Sequence, residues 1–176
     1  MYGTVQPSPD GSRALVDQST IIGPTGGRLG TVQVAGAQLY GVEWADDSRH
    51  LCGIGQPGSG GPDAGQGSLW LLSPEASPRR LASVGQIGSD PGIAVCSVRA
   101  KRAVIVSTAH VHIPPPQGDP YDITVLVQVL DLASGASIYA HDYGAAVPAI
   151  AVSAGPSPDG GYLAEYAVLS RTTTIK

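Results

Sequence analysis

The chain has 176 residues, 42% of them hydrophobic and only 14% charged, with a formal net charge of −4. That length and apolar content suit a single domain with a sizeable core and exclude a charge-driven disordered chain. With 10 Lys and Arg against 14 Asp and Glu there is no basic footprint for nucleic acid.

Gly (24) and Pro (15) interrupt almost every window long enough for a helix, and apolar spacing of helical period never persists over three turns. Short β-branched and apolar runs between turn clusters are plentiful and predict strands. The first four cover 2–6 and 13–18 around Ser8-Pro9-Asp10-Gly11, then 20–23 and 28–34 around Pro24-Thr25-Gly26-Gly27. The next four cover 39–44 and 50–54 around Asp46-Asp47-Ser48, then 68–72 and 80–84 around Ser73-Pro74-Glu75-Ala76. Strands at 93–98 and 103–113 flank Arg99-Ala100-Lys101, and those at 122–132 and 137–143 flank Ala133-Ser134-Gly135. The last pair, 147–154 and 162–169, flanks Ser157-Pro158-Asp159-Gly160. No apolar run is long enough for a membrane helix and residues 1–4 lack signal-peptide features, so neither membrane insertion nor a leader is expected. Cys52 and Cys96 fall inside predicted strands. Two buried free thiols are the expectation, with a disulfide as the alternative.

The turn at 8–11 returns at 157–160, with weaker echoes at 45–49 and 98–102. Aligning Asp10, Asp46, Arg99 and Asp159, and setting aside the insertions at 55–67 and 114–121, leaves units of about 40 residues with four strands each. That is the size of one propeller blade. The predicted fold class is therefore all-β, with β-propeller blades of four-stranded antiparallel meanders at 1–36, 37–86 and 92–144 and a partial one at 147–176. The run 123–130 is apolar on both faces, as expected of a sheet sandwiched between neighbours.

These residues carry a resemblance. Ser-Pro-Asp-Gly is followed by an apolar strand, by a second such as Ser68-Leu69-Trp70-Leu71-Leu72 or Val129-Leu130-Asp131-Leu132, and by a Ser-Gly turn. The pattern resembles the WD40-like repeat of TolB-type β-propellers, and Trp44 stands where that repeat often has an aromatic. The match is tight at 8–15 and 157–164; the middle copies lack the Pro and the third lacks the Asp. The resemblance implies an incomplete propeller of about three and a half blades, whereas closed propellers usually have 4–8. Missing blades or self-association are expected to cover the free sheet faces. It also implies a lean towards an extracytoplasmic location, and an alternative role as a propeller accessory to a hydrolase or peptidase catalytic domain.

Catalytic motifs fail on their residues. There is no Gly-x-Ser-x-Gly elbow, since Gly155-Pro156-Ser157-Pro158-Asp159 breaks the pattern at its last position. Gly58-Ser59-Gly60-Gly61 lacks the Lys and helix of a phosphate loop. Asp46 and Asp47 point to opposite sides of an extended backbone, and Asp10 and Asp159 are turn acceptors. Trp44 and Trp70 are expected to pack between blades. His110 and His112 share one strand face, with Asp119, Tyr121, Asp122 and His141 in the same unit, which makes the two imidazoles weak metal candidates. No metal or other cofactor is expected.

Topology is more informative. In an up-and-down blade, the first and third connections lie at one end and the second and inter-blade connections at the other. The tight turns are first and third connections; the long ones gather opposite, where binding residues usually sit on a rigid scaffold. That end would carry Gln56, Asp63, Gln66, Asp90, His110, His112, Gln117, Asp119 and Tyr121 as a ligand-binding face. The expectation is a non-enzymatic binding or scaffold segment that presents this face to a protein or other ligand.

Overall fold

In the computed structural model, residues 4–57, 66–86, 93–110, 123–142, 149–156 and 163–169 are described. All regular structure among them is β. The first sheet contains β1 (Val5–Pro7), β2 (Ala14–Val16), β3 (Thr20–Ile22) and β4 (Arg28–Thr31), paired in chain order. The second contains β5 (Ala37–Trp44), β6 (Leu51–Pro57), β7 (Gln66–Ser73) and β8 (Ala76–Gln86). The third contains β9 (Ile93–Ser97), β10 (Arg102–His110), β11 (Ile123–Asp131) and β12 (Ser137–Asp142). A two-stranded ladder of β13 (Ala149–Pro156) and β14 (Leu163–Leu169) follows. Every pairing is antiparallel. The fold is all-β and propeller-like, as the turn punctuation predicts. Among the described residues no helix is long and apolar enough to cross a membrane.

The sheets stack face to face, which explains why consecutive residues of one strand are apolar. In β6, Leu51 faces the first sheet and packs with Leu15, Ile21, Val42 and Trp44. Its neighbours Cys52 and Ile54 face the third sheet and pack with Leu69, Ala94, Cys96 and Ile105. β10 is buried in the same two-sided way: Ala103, Val104, Ile105 and Val106 are 0%, 4%, 0% and 6% exposed. A sheet wet on one face would alternate instead. β5 packs on β9, and β13 lies against β9, β10 and β11, so the successive first strands approach one another.

One expectation is corrected. Cys52 and Cys96 are not free thiols but form a disulfide, both fully buried, with Cα atoms 5.9 Å apart. The facing sheets bring β6 and β9 within the span that a disulfide requires. The bond therefore joins the second sheet to the third across 44 residues of sequence.

The repeat also gains a register. Gly11, Ser48 and Lys101 occupy the same left-handed position in their turns (φ 70, 59 and 55), each donating its N–H three residues back to Ser8, Ala45 and Val98. Asp10 is thereby equivalent to Asp47 and Ala100, one residue along from the sequence alignment, and Asp46 takes the place of Pro9.

Candidate functional site

At the tight-turn end the carboxylates are committed to structure. The Asp10 carboxylate accepts from the Ser12 N–H (2.9 Å) and from the Ser12 and Ser8 hydroxyls (2.8 Å each). Those bonds, the Ser12 backbone first, hold it well below the usual carboxylate range. For Asp47 the largest single influence is burial, which raises the value. The His50 N–H, the His50 ring and the Arg49 N–H together outweigh it and leave the pKa lowered. Asp131 is lowered by the Ser134 N–H, then by the Ser134 hydroxyl, with the Ala133 N–H and the Arg102 guanidinium adding to it against a smaller effect of burial.

This end also latches one sheet to the next. The Asp10 N–H donates to Ser48 Oγ at 3.0 Å, joining the first two sheets. Asp46, released from its own turn, accepts from the Val98 N–H and the Ser97 hydroxyl of the third sheet, both at 2.7 Å. Arg13 pairs with Glu75 at 2.9 Å, and Arg79 donates to the carbonyls of Leu132 (2.9 Å) and Ala133 (3.3 Å). Gly135 is required here, because a Cβ would stand 2.0 Å from the Leu81 carbonyl oxygen. His50 Nδ1 lies 2.6 Å from Asp47 Oδ2, the base-and-orienter half of a hydrolytic triad. Among the described residues no Ser, Thr or Cys is hydrogen-bonded to that ring, and the Asp is the acceptor of its own turn.

Of the nine residues expected on the opposite end, three are described: Gln56, Gln66 and His110. Asp63, Asp90, His112, Gln117, Asp119 and Tyr121 lie outside the described residues. The backbone of His110 closes β10 opposite Ile123. Gln56 pairs with Gln38 on the face of the second sheet that carries Ile54 and Cys52, towards the third sheet. Gln66 begins β7 on the other face, towards the first sheet.

At Gln66 the structure forms a cleft of about 350 Å³. One wall is the link at 34–37 between the first and second sheets; the other is the end of β6 and β7 with β8 behind it, lined by Gly55, Pro57, Gln66, Ser68, Trp70 and Arg80. Ala37, Pro57 and Gln66 all stand at the end of the second sheet from which the long connection 58–65 leaves. Glycine shapes the wall. Gly53 and Gly55 alternate on the face of β6 where Val42 and the Trp70 ring lie, and a Cβ on Gly55 would stand 2.7 Å from Trp70 Nε1. That indole N–H is buried without a hydrogen-bond acceptor, a state that costs about 1–3 kcal/mol. Trp44, by contrast, is satisfied: its N–H donates to the Gln6 carbonyl at 3.1 Å and its ring packs between the first two sheets.

Arg80 and the cavity role of Trp70 were not expected from sequence. Gly53 and Gly55, alternate glycines in a strand, are the available signal, since they mark where a side chain or backbone approaches closely.

No family model matches this chain, and no curated protein matches it significantly. Among solved structures, it is similar to an acylaminoacyl peptidase in complex with Z-Gly-Gly-Phe-chloromethyl ketone, with a TM-score of 0.51 and 9% identity. The match covers 97% of this chain but 30% of that one, so the present chain spans less than a third of the peptidase. At that identity the likeness establishes the fold alone: stacked four-stranded antiparallel sheets in a propeller-like arrangement.

Proposed function

We propose that this chain is a non-enzymatic binding segment of a WD40-like, TolB-type propeller, and that it binds its ligand at the end where the long connections gather. The observation that carries the reading is the cleft between the 34–37 link and the outer strands of the second sheet. It opens at the end opposite the latched turns, where the acidic groups are already engaged. Concave sites of about 300–1,000 Å³ with apolar walls and a few convergent polar groups are the usual form of small-ligand sites.

A fragment screen followed by heteronuclear NMR tests this. Shifts should cluster at 34–37, 55–57 and 66–70; clustering at the turns 45–50 and 132–136 instead would overturn the reading. The alternative, a propeller accessory to a peptidase catalytic domain, draws its support from the likeness to a propeller-containing peptidase. Two further proposals accompany the main one. The buried Cys52–Cys96 disulfide favours folding in an oxidising, extracytoplasmic compartment. Val5, Val16 and Ile22 share the face of the first sheet turned away from the second, and Val5 is 64% exposed. A further sheet, from a longer chain or a second copy, would cover that face. Sedimentation should show concentration-dependent association that Val5→Glu weakens; a strictly monomeric, well-behaved chain would remove the proposal.

A further inference from the structure

The donors around the cleft identify the kind of ligand it takes. Arg80 lines it from β8, opposite Trp70 in the ladder, and forms no ion pair among the described residues. Its neighbour Arg79 is engaged with two carbonyls, Arg13 with Glu75 and Arg102 with Asp131. Trp70 contributes its ring to the wall; its N–H is buried beside Gly55, away from the cleft surface. Ser68 and Gln66 add a hydroxyl and an amide. No Asp or Glu is among the described residues lining the cleft, although the chain as a whole carries a net charge of −4. A cation and spare N–H and O–H groups without a carboxylate are the complement of an anion. A phosphoryl group usually draws on several cations or a nest of backbone N–H groups. A single guanidinium beside the apolar walls of Val34, Pro57 and Trp70 matches one planar carboxylate on an apolar body.

We infer that the cleft binds a small apolar carboxylic acid or the C-terminal carboxylate of a short apolar peptide. Arg80 grips the carboxylate and the Trp70 ring packs on the apolar part. The inference rests on the long-connection end being the binding face, and adds the chemical class.

The test titrates the chain with N-acetyl-leucine, N-acetyl-leucinamide, and the tripeptide Ala-Ala-Leu with a free or an amidated C-terminus, following the Trp70 indole resonance by NMR. Each acid should bind about tenfold more tightly than its amide, the size of one charge-assisted hydrogen bond. Arg80→Gln should abolish that difference, while Arg49→Gln at the tight-turn end should preserve it. A free tripeptide that binds more tightly than N-acetyl-leucine identifies a peptide terminus as the source; the reverse order identifies a small acid. Equal binding of acid and amide overturns the carboxylate assignment and leaves the binding face standing. No binding by any of the four overturns the assignment too, and fragment shifts clustering elsewhere would remove the face as well.

Discussion

Breaking the Cys52–Cys96 bond should cost this protein a large share of its stability. The bond closes 44 residues of sequence and ties the second sheet to the third. Loop-closure entropy for a ring of that size gives about 4 kcal/mol at room temperature, against a total of about 5–15 kcal/mol for a typical domain. For a chain of this length that corresponds to a fall of about 8–16 °C in Tm. Both sulfurs are fully buried, so reductant must act under denaturing conditions before refolding. The assay compares urea unfolding of the oxidised protein, the reduced and refolded protein, and the Cys52→Ala/Cys96→Ala double variant. Reduced protein and double variant should both lose stability, the variant slightly more because it also removes packed volume. Coincident transitions for oxidised and reduced protein would refute the reasoning, as would two titratable thiols in unreduced, unfolded protein.

Three further perturbations follow from the same geometry. Asp10, Asp47 and Asp131 are all held below the free aspartate value, which is about 3.9. The unfolded chain therefore binds more protons, so their stabilising effect is complete above about pH 5 and is lost as pH falls through the folded values. Urea midpoints measured from neutral pH downward should drop in that range, and Asp→Asn at all three positions should flatten the drop. Asp46→Ala leaves the Val98 N–H and the Ser97 hydroxyl without their acceptor. It should cost about 1–3 kcal/mol by chemical denaturation, while Arg49→Ala, on an exposed side chain, should be near neutral. Gly55→Ala places a methyl 2.7 Å from Trp70 Nε1; it should cost about 1–3 kcal/mol as overpacking and shift the Trp70 fluorescence.

The strand order was legible because Gly, Pro and Asp punctuate nearly every turn while the runs between them are apolar. Two-sided burial was legible as well, from the apolar run 123–130, whose described side chains at 126–130 are buried or half-buried. What failed depended on local backbone conformation or on contacts between sheets. Ser8-Pro9-Asp10-Gly11 and Ala45-Asp46-Asp47-Ser48 can be aligned on either Asp, and only the left-handed residue fixes the choice. Ser48 and Lys101 give no sign of that conformation, since side chains seldom adopt it and glycine is its usual marker. The error concealed a division of labour: Asp47 holds its own turn, whereas Asp46 reaches the neighbouring sheet. The disulfide was hidden for a similar reason, because a spacing of 44 says nothing about which sheet faces meet. Of the binding-face candidates, Gln66 lines the cleft and Gln56 stands on the opposite face of the same sheet. The place of Arg80 and Trp70 in the cleft wall was not legible, because they belong to strands whereas binding residues usually sit on loops.

The most direct measurement is the NMR-mapped fragment screen on the whole chain. Shifts concentrated at 34–37, 55–57 and 66–70, with the Trp70 indole among the strongest responders, are the predicted result. A chain whose fragments gather instead on the latched turns at 45–50 and 132–136, leaving the Trp70 indole unmoved, would contradict the account.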